Sequence, residues 1–169
     1  MTAPIRLWRI GTDAPTYQAR DLSGKGAELS GGRWNRKGTP LVYASGTRAL
    51  ACLETVVHLG TGEPLPLNRY LVEITVPPAA WAARTMFDPA ANVGWDAEPA
   101  GQISLDWGTA WARAASTLLA EVPSVIVPEE CNYLLNPAHA DLATLAAAKV
   151  RKWTYDMRLS RSRVTRRRR

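Results

Sequence analysis

Tyr70 to Val76 alternates with a period of two and then runs into Pro77-Pro78, and no other stretch restricts the fold more. That period sends successive side chains to opposite sides of a sheet, and paired prolines cannot continue a ladder. The segment is therefore a strand with a defined end. Ile5 to Ile10 also alternates, with Leu7 on one side and Trp8 and Ile10 on the other, and reads as an opening strand. Leu41-Val42-Tyr43-Ala44 is a short apolar strand launched by Gly38 and Pro40. Between these strands the period changes to that of a helix, about Thr47 to Leu59, with Ala49, Cys52, Leu53, Val56 and Val57 on one arc. Glu54 falls at the border of that arc, where a carboxylate faces water or the lip of a cleft. A second helix is expected over Leu105 to Ala120, with Trp107 and Trp111 as core packing. Val125 to Val127 and Tyr133 to Leu135 read as strands, Ala138 to Lys149 as a helix and Trp153 to Leu159 as a last strand. Gly11 to Ser30 is polar and reads as a long loop. Short strands interleaved with few helices predict an α+β fold, a single domain with a mixed or antiparallel core and flanking helices.

Composition narrows the classes. With 169 residues, 46% hydrophobic and 21% charged, the chain is long enough for one buried core. No apolar run reaches the length of a membrane-spanning helix, and Met1 to Arg9 lacks the apolar stretch of a secretory signal. Cys52 and Cys131 are expected as buried thiols, in keeping with a cytoplasmic location. His58 and His139 are isolated, so no metal site is expected. The net charge of +6 is local. Seven arginines lie from Arg158 onward, leaving 14 bases against 15 acids over residues 1–157. Residues 160–169 are expected to be a disordered basic tail, and residues 1–159 the domain.

Gly31-Gly32-Arg33-Trp34-Asn35 is the most suggestive stretch for function. Two glycines permit close backbone approach, and an arginine offers a planar fork to anionic oxygens; the same residues also suit a tight turn before a salt-bridged strand. Glu54, about twenty residues on, supplies the carboxylate that a cationic, sugar-like transition state requires. Tyr43, at a strand end, could stack on a ring or stand buried with its hydroxyl satisfied. Ser124 lies next to Pro123 and could donate to a sugar hydroxyl or cap a turn. No GxSxG elbow, GxGxxG or Walker loop is present.

At these residues the chain resembles the RES-domain family, toxins of RES–Xre toxin–antitoxin pairs, named for an arginine, a glutamate and a serine. The resemblance is carried by Gly31 to Asn35 with Gly38 to Tyr43, by Ala49 to Glu54, and by Trp95-Asp96. It continues in Val122-Pro123-Ser124, Pro128 to His139 and Tyr155 to Leu159. It covers about Trp8 to Leu159 in order.

The resemblance implies a fold related to ADP-ribosyltransferases and an activity that consumes NAD, by hydrolysis or phosphorolysis of the nicotinamide–ribose bond. NAD is then substrate rather than cofactor, with inorganic phosphate as co-substrate in the phosphorolytic case. Glu54 would stabilise the ribosyl cation and Arg33 would hold the pyrophosphate or phosphate. Tyr43 would pack on nicotinamide or ribose, and Ser124 would donate to ribose or phosphate oxygens. Asn35, Arg9 and Asn132 would add polar lining, and Arg36 is a further basic group for phosphate. An Xre-like antitoxin would cover the site, so nucleic acid enters only through that partner, and no membrane is involved. Two other readings stand beside this one: transfer of ADP-ribose to a protein, and a non-catalytic nucleic-acid-binding module using the basic tail.

Overall fold

The two alternating segments pair with each other at the heart of one sheet. The computed structural model describes residues 3–59 and 64–159; the expected basic tail lies outside them. Strand β1 (Ile5–Thr12) runs antiparallel to β3 (Arg69–Val76), from Ile5 opposite Val76 to Thr12 opposite Arg69. On the other side of β1 lies β2 (Val42–Ser45), with Trp8 opposite Ser45. Beyond β2 come β6 (Cys131–Leu135), β5 (Leu119–Pro123) and the two-residue β4 (Thr85–Met86), while β7 (Ala146–Lys152) flanks β3. The seven strands run in the order β4-β5-β6-β2-β1-β3-β7, antiparallel except for β4 with β5. The helices are α1 (Lys25–Ser30), α2 (Arg48–Val56), α3 (Pro78–Ala82) and α4 (Gln102–Ala114). The expected α+β class with an antiparallel core holds. No helix of the described residues is long and apolar enough to cross a membrane.

Strand alternation divides the core by face. Leu7, Val42, Ala44, Val72, Ile74, Val76, Leu119, Tyr133 and Leu135 fill one side, covered by Ala19, Leu22, Leu142 and Leu145 from loops and by Trp81 of α3. The other side carries both longer helices. Ala51 of α2 packs with Trp8, Ile10 and Leu71; Trp111 and Ala112 of α4 pack with Trp34, Phe87, Ala120, Val122 and Leu134. Each fully buried Leu, Ile or Val contributes roughly 1.5–3 kcal/mol through removal from water, so the two-sided burial of β1 and β3 fixes their register against a one-residue slip.

Several elements differ from the sequence expectation. In α2 the inward residues are Leu50 and Ala51, 2% and 3% exposed, while Val57 is 53% exposed. Small Ala51 lets the helix approach the sheet, and Glu54, four positions after Leu50 and three after Ala51, stands half-buried at the border of that contact, as expected, with its carboxylate turned to the sheet. The second helix starts a turn early and stops at Ala115, whose φ is 47°, so Leu119 and Ala120 belong to β5. Val125 to Val127 is a turn, not a strand, because the Ser124 hydroxyl takes the backbone N–H of Ile126 and of Val127. The helix expected over Ala138 to Lys149 is a 3-10 turn (Ala140–Thr144) followed by β7. Pairing with β3 overrides the helix propensity of its alanines there. Trp153 to Leu159 forms no strand: the Trp153 amide gives one last bond to the Arg69 carbonyl, and the chain ends its described part in a 3-10 turn (Met157–Leu159). Inside the loop expected over Gly11 to Ser30, β1 extends to Thr12 and α1 forms. Cys52 and Cys131 are free thiols, each half-buried.

Candidate active site

Three of the expected residues converge on the face that carries α2. Helix α2 begins at Thr47, whose side chain caps the amide of Leu50 at 3.1 Å, and this start sets the rotation that aims Glu54 at the sheet. Glu54 Oε1 accepts two bonds, one from the Ser124 hydroxyl at 2.8 Å and one from the Asn132 side-chain amide at 2.5 Å. Asn132 stands on β6 directly opposite Ser45 of β2, and the Ser45 hydroxyl donates to Asn132 Oδ1 at 2.7 Å. Glu54 Oε2 has no partner among the described residues and is not a sealed, unsatisfied atom. One oxygen of the carboxylate is thus held and the other is open.

Ser124 is 1% exposed and fully used. Its proton goes to Glu54, and its oxygen receives the Ile126 and Val127 amides at 3.1 and 3.2 Å. A hydroxyl spent in this way aims the carboxylate and closes the Ser124–Glu130 turn, and has no proton left for a sugar. Asn132 likewise spends both ends of its amide on Ser45 and Glu54 rather than on a ligand.

Arg33 and Tyr43 are held at the other end of β2's inward row, where Tyr43 and Ser45 share one face. Gly31 closes α1 with φ 71°, a left-handed conformation that suits glycine. A Cβ on Gly32 would stand 2.6 Å from the Tyr43 hydroxyl, so its bareness admits the tyrosine rather than an anion. That hydroxyl donates to Asn35 Oδ1 at 2.6 Å and accepts the Trp34 amide at 3.1 Å. Burial pushes the phenol well above its ordinary range, against the pull of the Trp34 amide and the Arg33 charge. Asn35 is 0% exposed, its amide bound to the carbonyls of Ala27 and Thr39 at 2.8 and 2.9 Å. Expected as polar lining, it braces the loop from within. Trp34 anchors the same loop among Phe87, Trp95 and Trp107, with ring centroids 4.8–6.0 Å away.

Arg33 itself leans on the segment before α4. Nη1 donates to the carbonyls of Trp95 and Ala97 at 3.3 and 2.8 Å, and Nη2 pairs with Glu98 Oε2 at 2.6 Å. The arginine side chain is 18% exposed and that of Glu98 78%. A largely exposed carboxylate therefore occupies the part of the fork expected to hold phosphate. Arg36 is similarly engaged, with Gln102 and with Asp106 at 2.6 Å.

Arg9 does not join this group. It lies on β1 between Trp8 and Ile10, which pack toward α2, so it points to the opposite face. There its guanidinium bonds the Asp21 carbonyl at 3.1 Å, and burial lowers its affinity for the proton, opposed by the charge of Asp21. Ser45 and Glu98 were absent from the sequence reading, and Thr47 entered it only as the start of the helix. Ser45 could have been found from its two-residue spacing to Tyr43; nothing in the sequence marks Glu98 as the partner of an arginine 65 positions earlier.

Comparison with known proteins places the chain among relatives along nearly its whole length. The chain is 59% identical over 156 residues to a Sphingobium sp. (strain YBL2) protein named "Prs ADP-ribosylating toxin", covering 92% of this chain and 96% of that protein. It is 38% identical over 154 residues to "Toxin Res" of Pseudomonas putida, covering 90% and 98%, and 34% identical over 151 residues to "Toxin Res" of Yersinia enterocolitica, covering 85% and 93%. The RES domain model matches residues 6–158, nearly everything between the first strand and the last 3-10 turn. The chain belongs to the RES domain family.

Proposed function

We propose that this protein is a toxin that cleaves the nicotinamide–ribose bond of NAD and passes the ADP-ribosyl group to a protein acceptor. The single observation that carries the reading is the Glu54 carboxylate, held through Oε1 by Ser124 and Asn132 with Oε2 open. When the glycosidic C–N bond breaks, its electron pair leaves with nicotinamide, which departs neutral and needs no acid. Positive charge grows on the ribose C1′ and ring oxygen, and a fixed carboxylate lowers the energy of that state more than of the ground state. The acceptor's nucleophile then bonds to C1′ and releases its proton. Arg33, once Glu98 yields, meets the pyrophosphate through charge-assisted bonds.

The choice of acceptor rests on two considerations. The Sphingobium relative is named for ADP-ribosylating Prs, and it covers 92% of this chain at 59% identity. Phosphorolysis, by contrast, calls for a second anion seat, and of the expected groups for it Arg9 faces away and Arg36 is held by both Gln102 and Asp106. Water remains the acceptor when no protein is offered. An Xre-like antitoxin that covers the Glu54–Arg33 row would restrain the enzyme, and NAD as substrate places its work in the cytoplasm.

The test is incubation of the protein with NAD carrying a label on its adenylate, with and without the Prs protein of the same cell. Labelled Prs together with released nicotinamide, both lost in Glu54→Gln, is the expected result. Release of free ADP-ribose with Prs unlabelled would move the assignment to hydrolysis, and no nicotinamide release would overturn it.

A further inference from the structure

The Glu54 carboxylate is aimed by a relay that begins two residues beyond Tyr43, on a side chain far too buried to touch a substrate. Ser45 is 3% exposed and sits between Trp8 on β1 and Asn132 on β6, its cross-strand neighbours. A buried hydroxyl must place its proton on some acceptor, and the one it has is Asn132 Oδ1 at 2.7 Å. An amide whose oxygen is taken on one side must turn its N–H₂ to the other, and there Glu54 Oε1 receives it at 2.5 Å. The reverse orientation would set the amide oxygen against a carboxylate oxygen, two acceptors with no proton between them. Ser45 therefore steadies the oxygen end of Asn132 while the Glu54 carboxylate draws its N–H₂ end, and the amide is held between the two.

We infer that Ser45 is a positioning residue for the NAD reaction: acting through Asn132, it fixes Glu54 by one oxygen and keeps the other free for the ribosyl cation. The inference rests on the function proposed above. It differs from a plain packing role, in which the hydroxyl is merely satisfied and its loss would only lower stability. The relay delivers an N–H to one oxygen of the carboxylate and so fixes that oxygen in place. The other ionisable groups around α2 leave this task to the relay. The Arg48 guanidinium lies over the Trp8 ring, 3.7 Å from its centroid, Glu130 takes the Thr47 hydroxyl at 2.8 Å, and His58 lies beyond the helix end.

The experiment measures nicotinamide release against NAD concentration for the wild type, Ser45→Ala, Ser45→Thr and Asn132→Asp, with melting temperature recorded alongside. In Ser45→Ala, kcat is expected to fall about tenfold, the scale of one charge-assisted hydrogen bond, with KM within about twofold. Ser45→Thr keeps the hydroxyl and should recover most of that kcat. Asn132→Asp replaces the amide donor by a second carboxyl beside Glu54 and should lower kcat at least as far. An Ala variant with wild-type kcat would overturn the inference, as would Thr and Ala variants that lose kcat equally while both stay folded. Absence of nicotinamide release by the wild type would sink the function and this inference together, whereas active wild type with an unaffected Ala variant sinks the positioning role alone.

Discussion

Replacing Glu98 with glutamine should make the protein a better NAD binder. The carboxylate pairs with Arg33 Nη2 at 2.6 Å, yet its side chain is 78% exposed, so the pair sits largely in water. Pairs of that kind are worth about 0.2–1 kcal/mol, because solvent screens the attraction and two long side chains must be held still. The pyrophosphate of NAD must displace that carboxylate to reach the fork, so removing its charge returns the same energy to substrate binding. KM for NAD should fall by about 1.4- to 5-fold, with kcat held. Arg33 keeps its bonds to the Trp95 and Ala97 carbonyls, so the fork stays in place and the melting temperature should change little. The assay is initial nicotinamide release at low and high ionic strength. Salt weakens both the ion pair and the phosphate contact, so the difference between variant and wild type should shrink as salt is raised. A raised KM would refute the reasoning, since it would mean that Glu98 steadies Arg33 for the substrate rather than competing with it. An unchanged KM at low salt would mean that phosphate does not use Nη2.

Glu54→Gln should retain its melting temperature and lose on the order of a hundredfold or more in kcat, measured by single-turnover nicotinamide release. Tyr43→Phe strips partners from the buried Asn35 oxygen and the Trp34 amide; at about 1–3 kcal/mol for an orphaned polar group and about 2–4 °C per kcal/mol for a domain of this size, calorimetry should record a melting point several degrees lower. Asp13 is held below its ordinary 3.8, first by Lys149 and then by the Ala19 amide. Its contribution is therefore present above that value and lost as pH falls through the lower folded one, so the gap in melting temperature between wild type and Asp13→Asn should close in acid below pH 3.8.

Alternation was legible in β1 and β3, which stand where the period of two put them; the short apolar runs of β2 and β6 were found as well, whereas the alternation over Trp153 to Leu159 gave no strand. β7 was not legible, because an alanine-rich run carries helix propensity and only the open edge of β3 makes it a strand. Glu54 shows the same limit at the scale of one side chain. Its identity was in the sequence, but the face that α2 presents was decided by small Ala51 meeting Trp8, Ile10 and Leu71. Ser124, Asn132 and Asn35 were expected to line the ligand, with a turn cap as the alternative for Ser124, and for Ser124 the geometry shows the cap. A polar residue near a site suggests a ligand contact, whereas each of these spends its hydrogen bonds on the protein. Arg9 could have been set aside by parity alone, had the face bearing α2 been known.

The carboxylate and its two anchors come from distant stretches of chain, Glu54 from one side and Ser124 and Asn132 from 70 and 78 residues further on. During synthesis Arg33, Tyr43 and Glu54 leave the ribosome well before the β5–β6 hairpin exists. Until that hairpin pairs with β2, the carboxylate has no donors to orient it and moves freely in water. Under the proposed function the growing polypeptide is therefore harmless to the nucleotide pool of the cell that makes it, and activity arrives only with the last third of translation. A partner made at the same time needs to reach the finished domain, not the nascent one, and has the interval of folding in which to do so.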